Sequence, residues 1–413
     1  MNVPKLRFKD NNDNDYPNWV NSTIGKSGYF YYGKSAPKWS ITDTATTPCV
    51  RYGELYTTHN IIVKKIYSYT NIPKENLKFS TGNEVLVPRV GEEPLDFCKC
   101  CYLPFKDVAI GEMISIYNTK NNPLFISYMF NGTMKYKFAR LVEGGNVSNL
   151  YYSYLENISI NLPCLEEQKK IANFLSTVDK KIINLENTIT NLENQKKGLL
   201  QQIFSQKLRF KDKNGNNYPN WEKKKLGDIA TLKNGISKSN EAFGHGKKFI
   251  NLQDIFNKSY IFNDNYSLVD VTEKELSENN LLKGDVLFVR SSVKREGVGL
   301  PCVIMENLID TVYSGFIIRC RFNINENIYL HYKKYCFLEF SFRKALLKKS
   351  SSSANTNINQ DNLSKLYVNL PCLEEQTKIA DFLSAFDRKL DNQKAQLEHW
   401  KQIKKGLLQQ MFV

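Results

Sequence analysis

A stretch of 21 residues occurs twice in this chain, and this duplication limits the possible folds more than any other feature of the sequence. Residues 161–181 read NLPCLEEQKKIANFLSTVDKK and residues 369–389 read NLPCLEEQTKIADFLSAFDRK, so the copies lie 208 positions apart. At the same offset, residues 196–204 (KKGLLQQIF) match residues 404–412 (KKGLLQQMF). The chain therefore contains two copies of one long structural element.

Both copies have the apolar spacing of a coiled-coil helix. Apolar residues follow one another at steps of four and three, and one slot in each copy holds a lysine instead, Lys196 or Lys404. A heptad pattern of this length is typical of a coiled coil, and about 40 residues at ~1.5 Å each predict helices roughly 60 Å long. Two such helices in one chain pair most simply with each other. The apolar positions are Ile171, Leu175, Val178, Ile182, Leu185, Ile189, Leu192, Leu199 and Ile203, and then Ile379, Leu383, Phe386, Leu390, Leu397, Trp400, Leu407 and Met411.

The sequence also marks where each helix begins. Pro163 and Pro371 end the preceding strand, because proline lacks the backbone N–H that a sheet requires. Glutamates then place negative charge in the first turn, where the helix dipole favours it. The residues of these first turns are Glu166, Glu167 and Gln168 in one copy and Glu374, Glu375 and Gln376 in the other.

A second repeat, near the start of each half, shows that the whole chain is a tandem duplication. Residues 5–19 match residues 207–221 at 12 of 15 positions. Each half thus has a short repeated segment, a globular region and a long helix. We refer to the repeated segments, residues 5–19 and 207–221, as the tags. We predict four segments, namely globular domains at 1–160 and 207–368 and helices at 161–206 and 369–413. Antiparallel helices would give the chain an internal pseudo-two-fold axis, with one globular domain at either end of the pair.

The two globular regions differ in sequence but follow one plan. Residues 85–89 (VLVPR) correspond to residues 286–290 (VLFVR), and each region closes with a short apolar stretch before its helix. Alternating apolar residues at 110–117 and 312–318 predict further strands. The expected fold class is mixed α/β, with two globular domains separated by two long antiparallel coiled-coil helices.

Composition points to a polyanionic partner. The 413 residues include 57 basic and 42 acidic side chains, a net charge of +15, together with 23 tyrosines and 24 phenylalanines. An excess of this size favours nucleic acid as the partner. No run approaches 18 apolar residues, and the first ten residues contain no apolar signal core, so we expect a cytoplasmic protein without a membrane segment.

Metal and triad chemistry find no support in the sequence. Cys98, Cys100 and Cys101 form a CKCC cluster without the paired CxxC spacing of a zinc site, and the nine cysteines are expected to be reduced. The four histidines lie far apart in sequence. We therefore predict neither a metal site nor a catalytic triad.

One motif resembles a nucleotide-binding loop. Residues 28–35 (GYFYYGKS) satisfy GxxxxGK[ST], the pattern that wraps phosphate between a strand and a helix. Bulky aromatic residues would crowd such a loop, Pro37 interrupts the expected helix, and the second half has Ile236 in place of Lys34. We therefore expect no ATP binding by this chain.

Polar loops in each half carry residue types that read DNA. In the second half, residues 290–295 leave a predicted strand and residues 350–359 precede the last one; Arg89 and residues 144–149 hold the corresponding places in the first half. Arginine can pair with two edges of guanine, asparagine with two of adenine, and serine with phosphates or bases. The alternative is that these are solvated surface loops. The DNA-contact candidates are Arg89, Asn146, Ser148, Asn149, Arg290, Ser291, Ser292, Lys294, Arg295, Ser353, Asn355 and Asn357.

With these features together, the chain resembles the specificity subunit of a Type I restriction-modification system. The resemblance rests on the tandem architecture, the two LPxLEEQxKIAxFLSxxD helix starts, the two KKGLLQQ(I/M)F helix ends and the strand sequence GDVLFVR at 284–290. The chain departs from the usual family sequence at Cys164 and Cys372, where a proline is common. A further departure at residues 82–89 (GNEVLVPR) weakens the transfer of a role to Arg89.

The resemblance implies a non-catalytic DNA-binding protein. Each globular domain would be a target recognition domain for one half of a bipartite site in double-stranded DNA. The helices would set the spacer and dock two methyltransferase subunits, while two further subunits carry out restriction and translocation. S-adenosylmethionine, ATP and magnesium would be bound by those partners and none of them by this chain. The helix residues implicated are Glu166, Glu167, Gln168, Lys196, Glu374, Glu375, Gln376 and Lys404.

Two other classes of protein remain as alternatives. A nucleotide-driven DNA enzyme would hydrolyse ATP and lose that activity on Lys34→Ala. A pure coiled-coil scaffold would have no affinity for DNA, which the charge of +15 disfavours. The second globular region repeats the plan of the first but lacks the lysine of the phosphate-loop motif. This difference favours the specificity-subunit interpretation over a nucleotide-driven enzyme.

Overall fold

The computed structural model describes residues 4–145, 148–352 and 355–412, and the chain divides into two compact units. The first unit comprises residues 1–187 and 394–413, and the second comprises residues 188–393. The first long helix is Leu165–Phe204 and the second long helix is Leu373–Met411, so each contributes residues to both units. Strands and shorter helices make up the rest, which confirms the mixed α/β class.

The first unit contains two four-stranded sheets. One has the order Gly28–Tyr32, Ile114–Thr119, Glu84–Pro88, Cys101–Leu103, and the other has the order Ser68–Thr70, Thr47–Val50, Lys106–Ile110, Phe79–Thr81. Val20–Thr23 pairs with Ser159–Leu162, and a small separate sheet has the order Glu143–Gly144, Ser148–Asn149, Val90–Gly91. The short α-helices are Tyr52–Thr57, Pro123–Asn131, Lys135–Ala139 and Tyr152–Leu155, and the 3-10 turns are Lys38–Ser40, Lys74–Asn76 and Pro94–Cys98.

The second unit has a related plan around a five-stranded sheet. Its order is Ala230–Asn234, Ile317–Phe322, Val286–Val289, Pro301–Ile304, Tyr260–Ile261. Two three-stranded sheets have the orders Ser267–Val269, Phe243–Ile250, Thr311–Tyr313 and Ser291–Ser292, Thr356–Asn357, Ser351–Ser352, and Glu222–Lys225 pairs with Tyr367–Leu370. The short α-helices are Leu226–Ile229, Leu252–Ile255, Glu273–Glu278, Tyr332–Leu338, Phe340–Lys349 and Gln360–Ser364, and the 3-10 turns are Asn240–Ala242 and Arg295–Gly297.

Within the first unit the two long helices run antiparallel. Lys404 Nζ lies 2.6 Å from Asp179 Oδ1, and Lys401 Nζ lies 3.7 Å from Glu186 Oε1. The lysine earlier in the second helix thus pairs with the carboxylate later in the first helix, as antiparallel chain directions require. The second unit contains the equivalent pair, Lys196 with Asp387, at positions displaced by 208. The lysines that interrupt the heptad pattern are thus neutralised by aspartates of the opposite helix.

Most of the apolar heptad positions are buried, as the spacing predicts, whereas Leu199, Phe386, Trp400 and Leu407 are half-buried. Exposure is below one tenth at Ile171, Leu175, Val178, Ile182, Leu185, Ile189, Leu192, Ile203, Ile379, Leu383, Leu390, Leu397 and Met411. The repeated ends of the two helices also reach a globular core. Phe412 packs against Phe125 in the first unit, with ring centroids 5.3 Å apart, and Phe204 packs against Trp221 in the second, at 5.7 Å.

The repeated tags fasten the start of each long helix. Glu167 is fully buried and accepts hydrogen bonds from Arg7 Nε (3.0 Å), Arg7 Nη2 (2.7 Å) and Trp19 Nε1 (3.2 Å). The hydrogen bond to Glu167 is the main reason why the pKa of Arg7 is raised. The second unit repeats every one of these contacts with Arg209, Trp221 and Glu375.

The prediction of one continuous strand in each of the segments 110–117 and 312–318 is wrong. Each segment contains the end of one strand, a turn and the start of another: Lys106–Ile110 is followed by Ile114–Thr119, and Thr311–Tyr313 by Ile317–Phe322. Met113 lies in the first turn with a left-handed φ of 63°, a conformation that breaks a strand. Alternation of apolar residues alone did not reveal these turns.

The phosphate-loop motif is part of a sheet. Gly28–Tyr32 is a strand whose residues pair with Ser115–Thr119, from Gly28 opposite Thr119 to Tyr32 opposite Ser115. A backbone paired in this way cannot wrap a phosphate, in agreement with the expectation from sequence.

No helix among the described residues is long and apolar enough to cross a bilayer.

Candidate nucleic-acid interface

The DNA-contact candidates of each half come together on one small sheet. In the first unit, Val90–Gly91 directly follows Arg89 and pairs with Ser148–Asn149, which also pairs with Glu143–Gly144. In the second unit, Ser291–Ser292 directly follows Arg290 and pairs with Thr356–Asn357, which also pairs with Ser351–Ser352. We refer to these three-stranded sheets as loop sheet 1 and loop sheet 2.

The same backbone contacts hold the arginine beside each loop sheet. Arg89 O accepts from Leu150 N at 2.8 Å, and Arg290 O accepts from Ile358 N at 3.0 Å. On the other side, Arg89 N donates to Met113 O (3.0 Å) and Arg290 N donates to Phe316 O (2.9 Å). Both arginines are therefore anchored between two loops that are distant in sequence, so the backbone that carries each of them is fixed before any ligand binds.

Arg89 lies among tyrosine rings. Its guanidinium carbon is 4.5 Å from the centre of the Tyr32 ring and 5.4 Å from that of Tyr151, distances typical of cation–π contacts. Burial raises the pKa of Tyr32, although the charge of Arg89 opposes this shift. Arg89 Nε is buried without a hydrogen-bond partner among the described residues, and a buried donor without a partner is unusual in a folded protein.

Loop sheet 2 carries an exposed basic turn. Arg290 is partly buried and donates from Nη1 to Gly315 O at 2.9 Å, whereas Lys294 and Arg295 are exposed to solvent. The neighbouring Arg343 donates to Glu296 O at 2.8 Å, and burial lowers its pKa to about 10. Among the predicted contact residues of this half, the cations exposed to solvent are thus Lys294 and Arg295.

The remaining loop candidates differ in accessibility. Ser148, Ser291 and Ser292 are buried at 5%, 8% and 7% exposure, so they build the loop sheets and offer little side-chain surface. Asn149 and Asn357 are half-buried, and Asn357 Nδ2 donates to Asn355 O at 3.1 Å. Asn355 is exposed, while Asn146 and Ser353 lie outside the described residues.

The helix candidates separate into three groups. Lys196 and Lys404 are half-buried and pair with Asp387 and Asp179. Glu166 and Glu374 are exposed on the first turn of each long helix, where a partner could reach them. Glu167 and Glu375 are buried against the tags, and Gln168 and Gln376 are buried as well. Gln168 accepts from Asn122 N and donates to Pro163 O, both at 2.9 Å. The side chains of these four residues are buried, and their hydrogen bonds connect each helix start to neighbouring segments of the chain.

The sequence pattern missed the tyrosines around Arg89. Tyr32 belongs to the aromatic run 28–35, which attracted notice only as a phosphate-loop match, and Tyr151 follows directly after loop sheet 1. Aromatic side chains beside a basic residue are common on nucleic-acid-binding surfaces, and the phosphate-loop pattern does not use this property of the run. As for metal binding, no group of three or more histidine, cysteine, aspartate or glutamate side chains in the described part of the chain could hold an ion.

A family model described as the Type I restriction modification DNA specificity domain matches residues 9–194 and 218–399 of this chain. The chain is 24% identical over 349 residues to the Type I restriction enzyme EcoKI specificity subunit of Escherichia coli, covering 80% of this chain and 72% of that protein. It is 25% identical over 320 residues to the MjaVIII specificity subunit of Methanocaldococcus jannaschii, covering 74% of each.

Solved structures of the same kind share the fold. The S subunit of a Type I restriction-modification system from M. genitalium superposes with a TM-score of 0.59 at 18% identity, covering 100% of this chain and 99% of that one. A second structure, from work on complex assembly of the type I R-M system, has a TM-score of 0.58 at 15% identity and covers 96% of this chain and 98% of that one. At these identities the likeness concerns the fold alone.

Proposed function

Because this chain belongs to the family of Type I restriction-modification DNA specificity subunits, we propose that loop sheets 1 and 2 carry the contacts by which it reads the two halves of its DNA site. The chain is a non-catalytic, sequence-specific DNA-binding subunit. Its globular regions read the half-sites, and its long helices set the spacer and dock methyltransferase subunits.

The observation that carries the proposal is the repeated anchoring of Arg89 and Arg290. Two globular regions with different sequences keep one arginine in the same backbone setting, beside a small sheet of polar loops. Arginine is the residue that most often reads guanine in the major groove. Because the side chains around the two arginines differ, the two half-sites should differ in sequence.

The candidates have separate roles in this proposal. Lys294 and Arg295, which are exposed, contact phosphates and supply affinity without sequence preference. Arg290, Asn355 and Asn357 face the bases of one half-site, and Arg89 and Asn149 face those of the other. Asn146 and Ser353, in the same two loops, stay predicted DNA contacts on the grounds of sequence alone.

The proposal extends to the partners. The assembled complex contains two methyltransferase subunits and two restriction and translocation subunits, which bind S-adenosylmethionine, ATP and magnesium. Glu166 and Glu374 are the first-turn residues that remain available for docking, since both are exposed. The residue ranges 1–160 and 207–368 are proposed as the two recognition domains, and 161–206 and 369–413 as the spacer helices.

The test begins with the genome. Single-molecule sequencing of N6-methyladenine, in a host with the gene and in one lacking this gene alone, should reveal one gapped two-part motif that disappears with the gene.

Duplex DNA with that motif is then used to measure binding by the complex with methyltransferase subunits. Lys294→Ala with Arg295→Ala should weaken binding to all sequences and reduce the salt dependence, by about one unit of slope per lost phosphate contact.

The matched control is Lys274→Ala, an exposed lysine on the short helix Glu273–Glu278 of the same unit. It should leave both affinity and salt dependence unchanged. If the double variant behaves like this control, loop sheet 2 is not part of the DNA interface.

A further inference from the structure

A basic cleft of about 710 Å³ opens in the first unit, between the globular region and the two long helices. Its walls contain seven lysines against two carboxylates, Asp179 and Glu186. A volume of this size is in the range of small-molecule sites, roughly 300–1,000 Å³. The lysines are Lys64, Lys99, Lys135, Lys180, Lys401, Lys404 and Lys405.

Most of this positive charge is not neutralised within the chain. Lys404 pairs with Asp179 (2.6 Å), Lys401 with Glu186 (3.7 Å) and Lys99 with Asp96 (2.9 Å). The other four, Lys64, Lys135, Lys180 and Lys405, have no carboxylate within 4.0 Å among the residues that the structure describes. A cleft with one sign of charge concentrates ions of the opposite sign.

Two polar groups in the walls also lack partners. His59 Nε2 and Thr133 Oγ1 belong to lining residues, are buried and have no hydrogen-bond partner in the described part of the chain. A buried polar group without a hydrogen-bond partner is unusual in a folded protein. Neither atom is accessible from the cleft, so these two groups add no contact for a ligand there.

The second unit fills the corresponding space with its own side chains. Tyr128 Oη donates to Asp179 at 2.7 Å and Tyr335 Oη donates to Asp387 at 2.6 Å, so these two pairs are equivalent. The residue before Tyr335 is Lys334, which is 5% exposed and contacts Asp387 at 2.7 Å. The residue before Tyr128 is Ser127, which is too short to reach the helix aspartate.

A second difference between the units also leaves more open space in the first unit than in the second. Ile62 forms a parallel β-bridge with Tyr102 in the first unit, and Tyr260 pairs in parallel with Val303 in the second. Ile62 and Tyr260 therefore occupy equivalent positions in the two units. Tyr260 places its ring 5.1 Å from Lys334 Nζ, whereas the smaller Ile62 lines the open cleft. The first unit is therefore open where the second is closed by a lysine and an aromatic ring.

We propose that the cleft of the first unit binds a small phosphorylated organic anion of about the size of a nucleoside diphosphate. Its phosphates contact the four lysines that have no carboxylate partner, Lys64, Lys135, Lys180 and Lys405. The organic part packs against the apolar wall formed by Ile62, Ile182, Ile183 and Leu408. Neither a phosphate alone nor a neutral organic molecule would use both the charge and the apolar wall.

The test uses ADP, pyrophosphate and adenosine as probes in calorimetric titrations of the full chain. ADP should bind in a saturable way, pyrophosphate more weakly and adenosine not measurably. The variant Ile62→Tyr with Ser127→Lys copies the second unit into the first and should weaken ADP binding at least tenfold. Lys26→Ala, an exposed lysine outside the cleft, should bind ADP like the unchanged chain.

A second variant keeps the test decisive if the filled cleft disturbs folding. Lys180→Ala with Lys405→Ala changes two exposed side chains on the long helices and should also weaken ADP binding at least tenfold, with an unchanged melting temperature. No binding of ADP at millimolar concentration overturns the proposal. Binding that survives in both variants, or is no tighter than that of pyrophosphate, overturns it as well.

Discussion

Glu167 is the residue at which the first tag and the first long helix meet. It is fully buried, and the groups that donate to it come from residues 160 and 148 positions earlier in the chain. A buried carboxylate is tolerated only when it is paired and hydrogen-bonded, and Arg7 and Trp19 meet both requirements. The repeated tag sequence is thus explained by a buried acceptor that each helix start presents.

Removing this acceptor should be costly. Glu167→Ala leaves the partly buried Arg7 without its partner, so we expect the free energy of unfolding to fall by roughly 3 kcal/mol. Glu166→Ala changes the exposed neighbour in the same turn and should alter it by less than about 0.5 kcal/mol. Urea unfolding of both variants provides the measurement. Equal losses for the two glutamates would show that the buried pair contributes nothing beyond the first-turn charge.

At the level of elements, the helix pair combines an apolar seam with polar pairs at fixed positions. Each unit contains one lysine in an apolar slot and one aspartate of the opposite helix, Lys404 with Asp179 or Lys196 with Asp387. Single polar groups in such seams specify register more than they add stability. A shift by one heptad would leave both lysines without their aspartates, so the register that sets the spacer is uniquely determined.

Helix length should control the gap in the DNA target. Asn187 and Ala395 are equivalent positions of the repeat. Inserting one heptad after each of them lengthens both helices by about 10 Å, and we expect the gap between half-sites to change while both half-sites remain the same. The methylated motif, read by sequencing, is the measurement. Replacing a heptad at the same places without a change of length is the control, and a changed half-site would contradict the division of roles.

At the scale of the whole molecule, one plan is used twice with different loops. The equivalence of loop sheets 1 and 2 is a matter of backbone contacts, whereas the side chains differ: Arg89 packs on tyrosines and Arg290 bonds to a carbonyl. A duplicated framework with diverged loops can read two unlike half-sites without any change in the helices that join the domains.

Exchange of one globular region should therefore change one half of the target. Replacing residues 222–368 with the corresponding region of another specificity subunit is expected to change one half-site and to leave the other half-site and the gap unchanged. The methylated motif of the chimera checks this, and the reciprocal exchange of residues 20–160 is its matched control. A chimera in which both half-sites change would mean that the two regions do not read DNA independently.

The sequence by itself determined the two long helices, their ends and the duplication of the chain. These features depend on local spacing: a heptad seam, a proline before the helix and glutamates in its first turn are all visible within a few residues of one another. The mixed α/β class and the nucleic-acid partner followed from strand-like runs and from a net charge of +15. The loops around Arg89 and Arg290 could also be named as candidates from their residue types.

Only the tertiary structure decided which of these residues meet. Residues 148–149 pair with the strand after Arg89, and residues 356–357 with the strand after Arg290, across separations that carry no periodic signal. Burial then divided the candidates, since Glu167 and Gln168 face inward while Glu166 is exposed. The cleft in the first unit arises in the same way, because its walls come from parts of the chain that only folding brings together. Local spacing determines elements, whereas contacts between residues that are distant in sequence determine sites.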